Sequence, residues 1–206
     1  MTIDVSYRDA EKHDARAIAE LFQIASDGVA DYVWSTMRDE FPGLSLIEIG
    51  ERRYAREGGD DVPFSYESCI VAESQGAVVG MMHGFAIPKG HFPTSESGEP
   101  VDPVLRPYAE MELPGSFYIS GLAMRPAFRN RGCGRALLGI AHRRAHHIGL
   151  EKLSLIVFEQ NAAAHRLYRR EGFDELDRRT VVPHALIHLT GDVLLMSAPV
   201  RDQTDS

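Results

Sequence analysis

The order of hydrophobic and polar residues divides the first half of the chain into a strand, two helices and a hairpin. The short alternation in IDVSYRDA predicts a strand that ends near Asp9. The helix that follows has apolar residues at helical spacing, namely Ile18, Leu21, Phe22 and Ala25. Gly28 breaks this run, and a second helix, SLIEIGERRYAREGG, is expected to stop at Gly58 and Gly59. The segments YESCIVAES, QG and AVVGMMHGFAI then predict a strand, a tight turn and a strand.

The second half of the chain begins with a loop and then alternates strands with helices. Residues 88–114 are rich in proline and have no sustained periodicity, which predicts a long loop insertion, either a lid over a site or a disordered segment. The segment GSFYISGLAMRP predicts a strand. The next helix is expected to end at Gly149. Its expected apolar face consists of Leu137, Ile140, Ala141, Ala145 and Ile148.

The remaining segments complete the predicted architecture. KLSLIVF predicts a buried strand, NAAAHRLYRREG a short helix, and the chain from Phe173 onward two strands separated by LTGD. Residues 201–206 form a polar tail. Strands and helices alternate only in the second half, whereas the first half contains the hairpin. This order predicts an α/β (α+β) protein in which a mixed sheet has helices on both faces, in a single domain of residues 1–200.

Composition narrows the function classes. The 206 residues carry a formal net charge of −8, which gives no electrostatic support to nucleic-acid binding. The two cysteines, Cys69 and Cys133, have no CxxC spacing and predict neither a disulfide framework nor a cysteine-built zinc site. The sequence has no apolar run of the ~20 residues that a membrane span needs. We therefore expect a cytoplasmic protein.

The segment RNRGCGRALL, residues 129–138, places two glycines and three arginines at a predicted helix entrance. The first N–H groups of a helix lack intrahelical partners and lie at the positive end of its dipole, so they bind anions when the chain can approach closely. Gly132 and Gly134 permit that approach, and Arg129, Arg131 and Arg135 add positive charge. The pattern predicts a pyrophosphate-binding turn; a plain tight turn with solvated arginines is the alternative.

The surrounding sequence resembles a known family. LAMRPAFRNRGCGRALL is similar to motif A of the GCN5-related N-acetyltransferases (GNAT), whose pattern Q/R-x-x-G-x-G/A is filled by Arg129, Gly132 and Gly134. NAAAHRLYRREGF resembles the family's second segment, N-x-x-A-x-x-L-Y-x-x-x-G-F, at Asn161, Ala164, Leu167, Tyr168, Gly172 and Phe173. The resemblance covers residues 117–173. It implies the GNAT fold, with a mostly antiparallel sheet of six to seven strands and an acetyl-CoA cleft where FYISGLAM and KLSLIVF splay apart.

The resemblance also implies a reaction: transfer of acetyl from acetyl-CoA to a primary amine of an unidentified acceptor, by direct attack in a ternary complex. Tyr168 is the implied catalytic residue, an acid that protonates the departing CoA thiolate. Asn161 caps its helix, bonds to the cofactor, or does both. The implied cofactor-binding residues are Leu122, Ala123, Met124, Arg129, Asn130, Arg131, Gly132, Cys133, Gly134, Arg135, Ala136 and Asn161. A non-catalytic acyl-CoA-binding sensor or interaction module with the same fold is the alternative.

The general base is left open by the sequence. Some family members carry a glutamate early in the motif A strand, where this chain has Tyr118, a poor base at neutral pH. The alternatives are Glu110, Glu112, His83 and Glu159. None is singled out.

Two other groups of residues suggest a site but also have simpler interpretations. His142 and His146 are four residues apart on a predicted helix, but Arg143 and Arg144 flank that face, so we expect no metal site. Trp34 and Tyr32 are either a wall of the acceptor site or part of the core. The expected partner is a small-molecule or peptide amine acceptor, with no nucleic acid and no membrane; a homodimer is left open.

Overall fold

The computed structural model of the chain describes residues 4–58, 62–90 and 102–201. Within these ranges the strands are β1 (Ser6–Asp9), β2 (Cys69–Ser74), β3 (Ala77–Ile87), β4 (Ser116–Met124), β5 (Lys152–Phe158), β6 (Asp174–Thr180) and β7 (Asp192–Pro199). The α-helices are α1 (Ala15–Ser26), α2 (Val29–Thr36), α3 (Leu46–Tyr54), α4 (Arg106–Ala109), α5 (Cys133–His147) and α6 (Ala162–Arg170).

The seven strands form one sheet in the order β1-β2-β3-β4-β5-β7-β6. The pairs β1–β2, β2–β3, β5–β7 and β6–β7 are antiparallel, whereas β4 and β5 are parallel. The predicted mixed, mostly antiparallel sheet is therefore confirmed. The predicted hairpin is confirmed as well: Gln75 and Gly76 join β2 to β3 with φ values of +52° and +74°, as a two-residue hairpin turn requires.

Contacts between residues group the chain into two compact units. The first comprises residues 1–85, 121–137 and 186–188, so it contains β1, β2, most of β3, the end of β4, the first three helices and the start of α5. Its core includes the predicted apolar face of α1, and Ile18 and Leu21 are fully buried. Trp34 of α2 also lies in this core, where its ring covers Gly50 of α3.

The second unit comprises residues 86–120, 138–185 and 189–206. β5 is buried on both faces, as the unbroken apolar run KLSLIVF predicts, and it pairs along its whole length with β7. The apolar face of α5 packs in this unit through Leu138, Ala141 and Ala145. The prediction of a single domain over residues 1–200 stays a prediction.

The predicted helix ends need two corrections. α3 ends at Tyr54, before Gly58: Ala55 is its C-terminal cap, and the Ala55 N–H makes the last helical bond, to the Glu51 carbonyl, together with a bond to the Arg53 carbonyl. Ile148 is wrong as a member of the buried face of α5, since its side chain is 52% exposed. The helix has ended at His147, and Gly149, with φ +72°, turns the chain away.

Only the ends of the predicted loop at 88–114 are described. Residues 91–101 lie outside the described residues, as do residues 202–206 of the predicted tail. The described part from 102 onward contains the single turn of α4, and the Gly115 N–H bonds to the Ile87 carbonyl at 2.8 Å, which ties the end of this segment to the end of β3.

β6 lies at one edge of the sheet and is mostly exposed and charged. Its sequence DELDRRT alternates between exposed and half-buried residues in its second half, and its register with β7 shifts between Glu175 and Asp177. Arg179 pairs with Asp177 at 2.6 Å, and Arg178 with Glu175 at 2.9 Å.

Candidate active site

The glycine turn that is predicted to bind a pyrophosphate lies between the end of β4 and the start of α5. Asn130 and Gly132 have φ values of +60° and +83°, in the left-handed region that favours glycine. The first intrahelical hydrogen bond runs from the Ala136 N–H to the Gly132 carbonyl at 3.0 Å. The Ala136 N–H is thus used within the helix, and the N–H groups without an intrahelical partner lie before that residue.

The space in front of this turn is open. A methyl group added to Gly132 would meet no atom of the described residues within 4 Å. The first turn of α5 carries no acidic residue, so it contains no carboxylate that would compete with a bound anion.

Two of the three predicted arginines hydrogen-bond to backbone carbonyls beside the turn. The Arg129 Nε donates to the Met124 carbonyl at 3.0 Å, and the Arg131 Nε donates to the Ala127 carbonyl at 3.1 Å. Both side chains are anchored to backbone through Nε and lie at the surface together with Arg135. The turn is held against the end of β4, and positive charge surrounds it.

The Cys133 side chain points into the protein. Its thiol is buried and hydrogen-bonds with the Tyr7 hydroxyl, and burial together with this contact raises the pKa of Tyr7 to about 12. A thiol in this position acts as a small core group. Any part of Cys133 in an anion site is therefore its backbone N–H.

The end of β4 contains the predicted pantetheine contacts. The parallel register of β4 with β5 comprises Phe117–Ile119 against Leu153–Leu155, and β4 continues five residues further, to Met124. Ala123 and Met124 are buried, whereas Leu122 is half-buried. The Met124 carbonyl accepts one hydrogen bond from Arg129, so one of its two acceptor positions is occupied.

The second motif builds a capped helix that carries Tyr168. The Asn161 Oδ1 accepts from the Ala164 N–H at 3.2 Å, which is the capping role foreseen for this residue. At the other end Gly172 has φ +88°, and the Phe173 N–H bonds back to the Tyr168 carbonyl at 3.0 Å. Tyr168 packs against Phe173 with ring centroids 5.7 Å apart, and burial raises the pKa of Tyr168 to about 12. Its phenol is therefore protonated at neutral pH.

The two motifs fall within one family match. The sequence model of the acetyltransferase (GNAT) family matches residues 30–173, which include both the glycine turn and α6. The chain belongs to the GNAT family. As a GNAT enzyme it is an acetyl-CoA-dependent N-acetyltransferase, since acyl transfer from acetyl-CoA is general for this family.

Solved structures show the same fold, although no curated protein matches the sequence. The N-acetyltransferase from Staphylococcus aureus Mu50 is 18% identical over 94% of this chain and 100% of its own, with a TM-score of 0.63. The ribosomal-protein-S18-alanine N-acetyltransferase from Escherichia coli is 16% identical over 98% of both chains, with a TM-score of 0.59. The NatC complex bound to Gag peptide and CoA gives 16% identity over 97% of this chain and 100% of that chain, with a TM-score of 0.59.

Tyr118, at the position where some GNAT enzymes carry a glutamate, lies in an electrostatic cluster with Tyr168 and Glu112. Burial raises the pKa of Tyr118 well above its usual range, and electrostatic interaction with Glu112 and Tyr168 adds to the rise. A phenol so perturbed does not ionise near neutral pH. Tyr118 is thus a hydrogen-bonding group, and Glu112 is the carboxyl group of this cluster.

The other two glutamates that are candidate bases pair with arginines. Glu110 lies 4.0 Å from Arg179, and Glu159 lies 3.5 Å from Arg178. Both glutamates are about half exposed, and their partners belong to β6. Of the three candidate glutamates, only Glu112 acts on Tyr118.

His83 is the centre of an aromatic cluster that the sequence analysis missed. We call this cluster the aromatic layer; it consists of Phe22, Tyr54, Phe64, His83 and Phe85. The rings of the other four lie between 5.0 and 5.7 Å from the His83 ring. The His83 Nε2 donates to the Pro63 carbonyl at 2.7 Å, and burial lowers the pKa of His83 to about 4. A buried, neutral imidazole of such low basicity is a poor general base, so this alternative is disfavoured.

Trp34 belongs to the core, and the two histidines of α5 differ in their surroundings. Trp34 is 2% exposed and belongs to the core, so the structure supports that alternative over an acceptor wall. The His142 Nδ1 accepts from the Arg201 N–H at 3.2 Å, whereas the His146 side chain is exposed. In the described part of the chain, no three His, Cys, Asp or Glu residues are grouped as a metal site, and no helix is long and apolar enough to cross a membrane.

Proposed function

We propose that this GNAT enzyme transfers acetyl from acetyl-CoA to a primary amine by direct attack of the amine on the thioester. The observation that carries the proposal is the open turn at Gly132, where a left-handed glycine leads into the N-terminus of α5 without an acidic residue in its first turn. Helix N-termini of this kind bind phosphate groups.

We assign the binding of the cofactor to backbone groups of the first unit. The pyrophosphate binds N–H groups between Asn130 and Arg135, and Arg129 and Arg131 contribute charge beside it. The pantetheine amides bond to main-chain atoms from Leu122 to Met124, in the part of β4 beyond its three-pair register with β5. The Ala136 N–H bonds to the Gly132 carbonyl, so the N–H groups left for the pyrophosphate are those before Ala136.

Tyr168 is proposed as the acid. The amine nitrogen attacks the thioester carbonyl carbon, the tetrahedral intermediate collapses with cleavage of the C–S bond, and the CoA sulfur takes the phenolic proton. The raised pKa of Tyr168 keeps the phenol protonated before the thiolate forms, but it also makes the phenol a weaker acid towards that thiolate. The assignment therefore depends on the position of Tyr168 in the second motif.

Glu112 is proposed as the base that takes a proton from the attacking amine, directly or through one water. Its charge acts on Tyr118, which in turn lies in the electrostatic surroundings of Tyr168. The carboxylate is half-buried, in contrast to the more exposed Glu110 and Glu159, which pair with arginines.

The role of Tyr168 as the acid is tested with the variant Tyr168→Phe. Tyr66→Phe is the control, since Tyr66 is a half-buried tyrosine far from Tyr168 in the sequence. CoA thiol release is followed with a panel of polyamines, aminoglycosides, amino acids and peptides. We expect the Tyr168 variant to lower kcat by about 10²-fold or more while the calorimetric Kd for acetyl-CoA stays within twofold. An unchanged kcat would remove Tyr168 from the chemistry.

The role of Glu112 as the base is tested with the variant Glu112→Gln, and Glu110→Gln is the control. The Glu112 variant should lose the acidic limb of the pH profile of kcat/KM, and the Glu110 variant should keep it. Binding of acetyl-CoA by the wild type without thiol release on any amine of the panel would instead favour a sensor.

A further inference from the structure

Arg53, in the last turn of α3, holds a half-buried positive charge. Its guanidinium lies over the Phe64 ring, 4.3 Å from the centroid, and its Nη1 is 3.7 Å from the Met37 Sδ. Burial lowers the pKa of Arg53, which shows that its surroundings solvate the charge poorly.

This charge has no anionic partner in the part of the chain that the structure describes: no carboxylate there lies within 4 Å of the Arg53 nitrogens. Three other arginines of the same unit are paired, namely Arg16 with Glu51, Arg56 with Glu40 and Arg125 with Glu20. Glu40 acts weakly on Arg53, but its own bond, at 2.9 Å, is to Arg56. Partial burial of a cation is costly unless an anion accompanies it.

The described surroundings of Arg53 are mostly apolar, and the one carboxylate that acts on it, that of Glu40, bonds to Arg56 instead. Phe64 and Phe85 are half-buried and lie 5.7 Å apart, and His83 beneath them is neutral. The Tyr54 hydroxyl is fully buried and has no hydrogen-bond partner within the described ranges. An aromatic surface beside a single cation fits a ligand with an apolar body and one carboxylate.

The aromatic layer is in direct contact with the strand assigned to the cofactor. A methyl group added to Gly121 of β4 would lie 2.6 Å from the Phe22 Cε2, so ring and strand touch. Phe22 in turn contacts Phe64, with centroids 6.2 Å apart. A ligand on Phe64 and Arg53 therefore lies on the side of β4 that the aromatic layer covers. Gly121 immediately precedes Leu122–Met124, the residues assigned to the cofactor.

We propose that Arg53 binds the carboxylate of the acceptor, and that the apolar body of the acceptor packs on Phe64 and Phe85. The acceptor class is a primary amine that also carries a carboxylate, such as an apolar amino acid. This inference rests on the proposed function, because it names the acceptor of that reaction, but it is tested by binding without turnover.

The experiment compares a carboxylate with its uncharged amide. 3-Phenylpropanoate and 3-phenylpropanamide are titrated calorimetrically into the wild type, Arg53→Gln, Arg53→Lys and the control Arg52→Gln, whose arginine is exposed in the same helical turn. We expect the wild type and the Arg52 variant to bind the acid about tenfold or more tightly than the amide, from charge-assisted bonds to the guanidinium. Arg53→Gln should lose this preference and Arg53→Lys should keep part of it.

Two outcomes would overturn the proposal: equal or undetectable binding of both compounds by the wild type, or a preference for the acid that Arg53→Gln retains. Unfolding midpoints and acetyl-CoA affinity report whether each variant is folded. If Arg53→Gln does not fold, the comparison of acid and amide binding by the wild type still tests the proposal. Acetylation of phenylalanine and phenethylamine is then measured. Absence of acetylation with intact acid preference would defeat the proposed function alone, whereas acetylation of both amines at equal kcat/KM would defeat the Arg53 assignment alone.

Discussion

Gly132→Ala separates the fold from the proposed cofactor site when it is compared with Gly43→Ala. The two glycines have nearly the same backbone, with φ +83° and +82°, and an added methyl group meets no described atom within 4 Å at either position. An L-residue in the left-handed region costs about 1–2 kcal/mol, and the stiffer unfolded chain offsets part of this. Both variants should therefore lose about 1 kcal/mol, or roughly 2–4 °C in Tm for a chain of this size.

Only Gly132 lies at the turn assigned to the pyrophosphate. Its methyl group would occupy the open space in front of α5, and any relief of the backbone strain would turn the adjacent N–H groups away from the phosphate. Loss of one charge-assisted hydrogen bond, at about 1.5–3 kcal/mol, weakens CoA binding by roughly 10- to 150-fold. Gly132→Glu adds like-charge repulsion and should abolish binding.

Calorimetric titration with CoA and denaturant unfolding measure the two effects on the same samples. The reasoning requires matched losses of stability and an affinity loss confined to Gly132→Ala. If Gly132→Ala binds CoA as tightly as Gly43→Ala, the pyrophosphate does not bind at this turn.

Two further predictions concern stability. Gly28→Ala should cost about 3 kcal/mol or more, well above Gly43→Ala, because φ is +95° and the methyl group would overlap the Leu186 carbonyl, so that only a backbone shift relieves it; equal denaturation midpoints would contradict this. Burial lowers the pKa of His83 to about 4 in the folded protein, below its value in the unfolded chain. The contribution of the neutral imidazole to the free energy of unfolding is therefore fully present above pH 6.5. About 3 kcal/mol of it is lost as the pH falls towards 4. His83→Gln keeps a donor for the Pro63 carbonyl without titrating, and its unfolding free energy should fall less over that range; parallel pH profiles would refute the assignment.

Local patterns predicted the elements and the motif turns well, because their causes are local. The spacing of Ile18 and Leu21 fixes the buried face of α1, and Gln75-Gly76 sets a hairpin turn by its backbone preference. Ile148 was misplaced because the helical period does not tell where the helix stops. Ile148, the last apolar residue before Gly149, is already outside the helix.

The aromatic layer could not be predicted in the same way. Phe22, Tyr54, Phe64 and His83 come from a helix, the end of another helix, an irregular segment and a strand, and only the tertiary fold brings them together. Likewise, four candidate bases were equivalent in the sequence. The arginines beside Glu110 and Glu159, and the burial of His83, distinguish them only in three dimensions.

The charged edge strand β6 restricts how copies of this enzyme assemble. A second sheet that joined by hydrogen bonds along β6 would have to accommodate the shift in register at Glu175–Asp177 and pack against Arg178 and Arg179, which already hold acidic partners. Extension of the sheet from one molecule to the next is therefore unfavourable at this side. Any homodimer should form through another surface, and mutations that remove the charges of β6 should promote aggregation before they affect acetyl transfer.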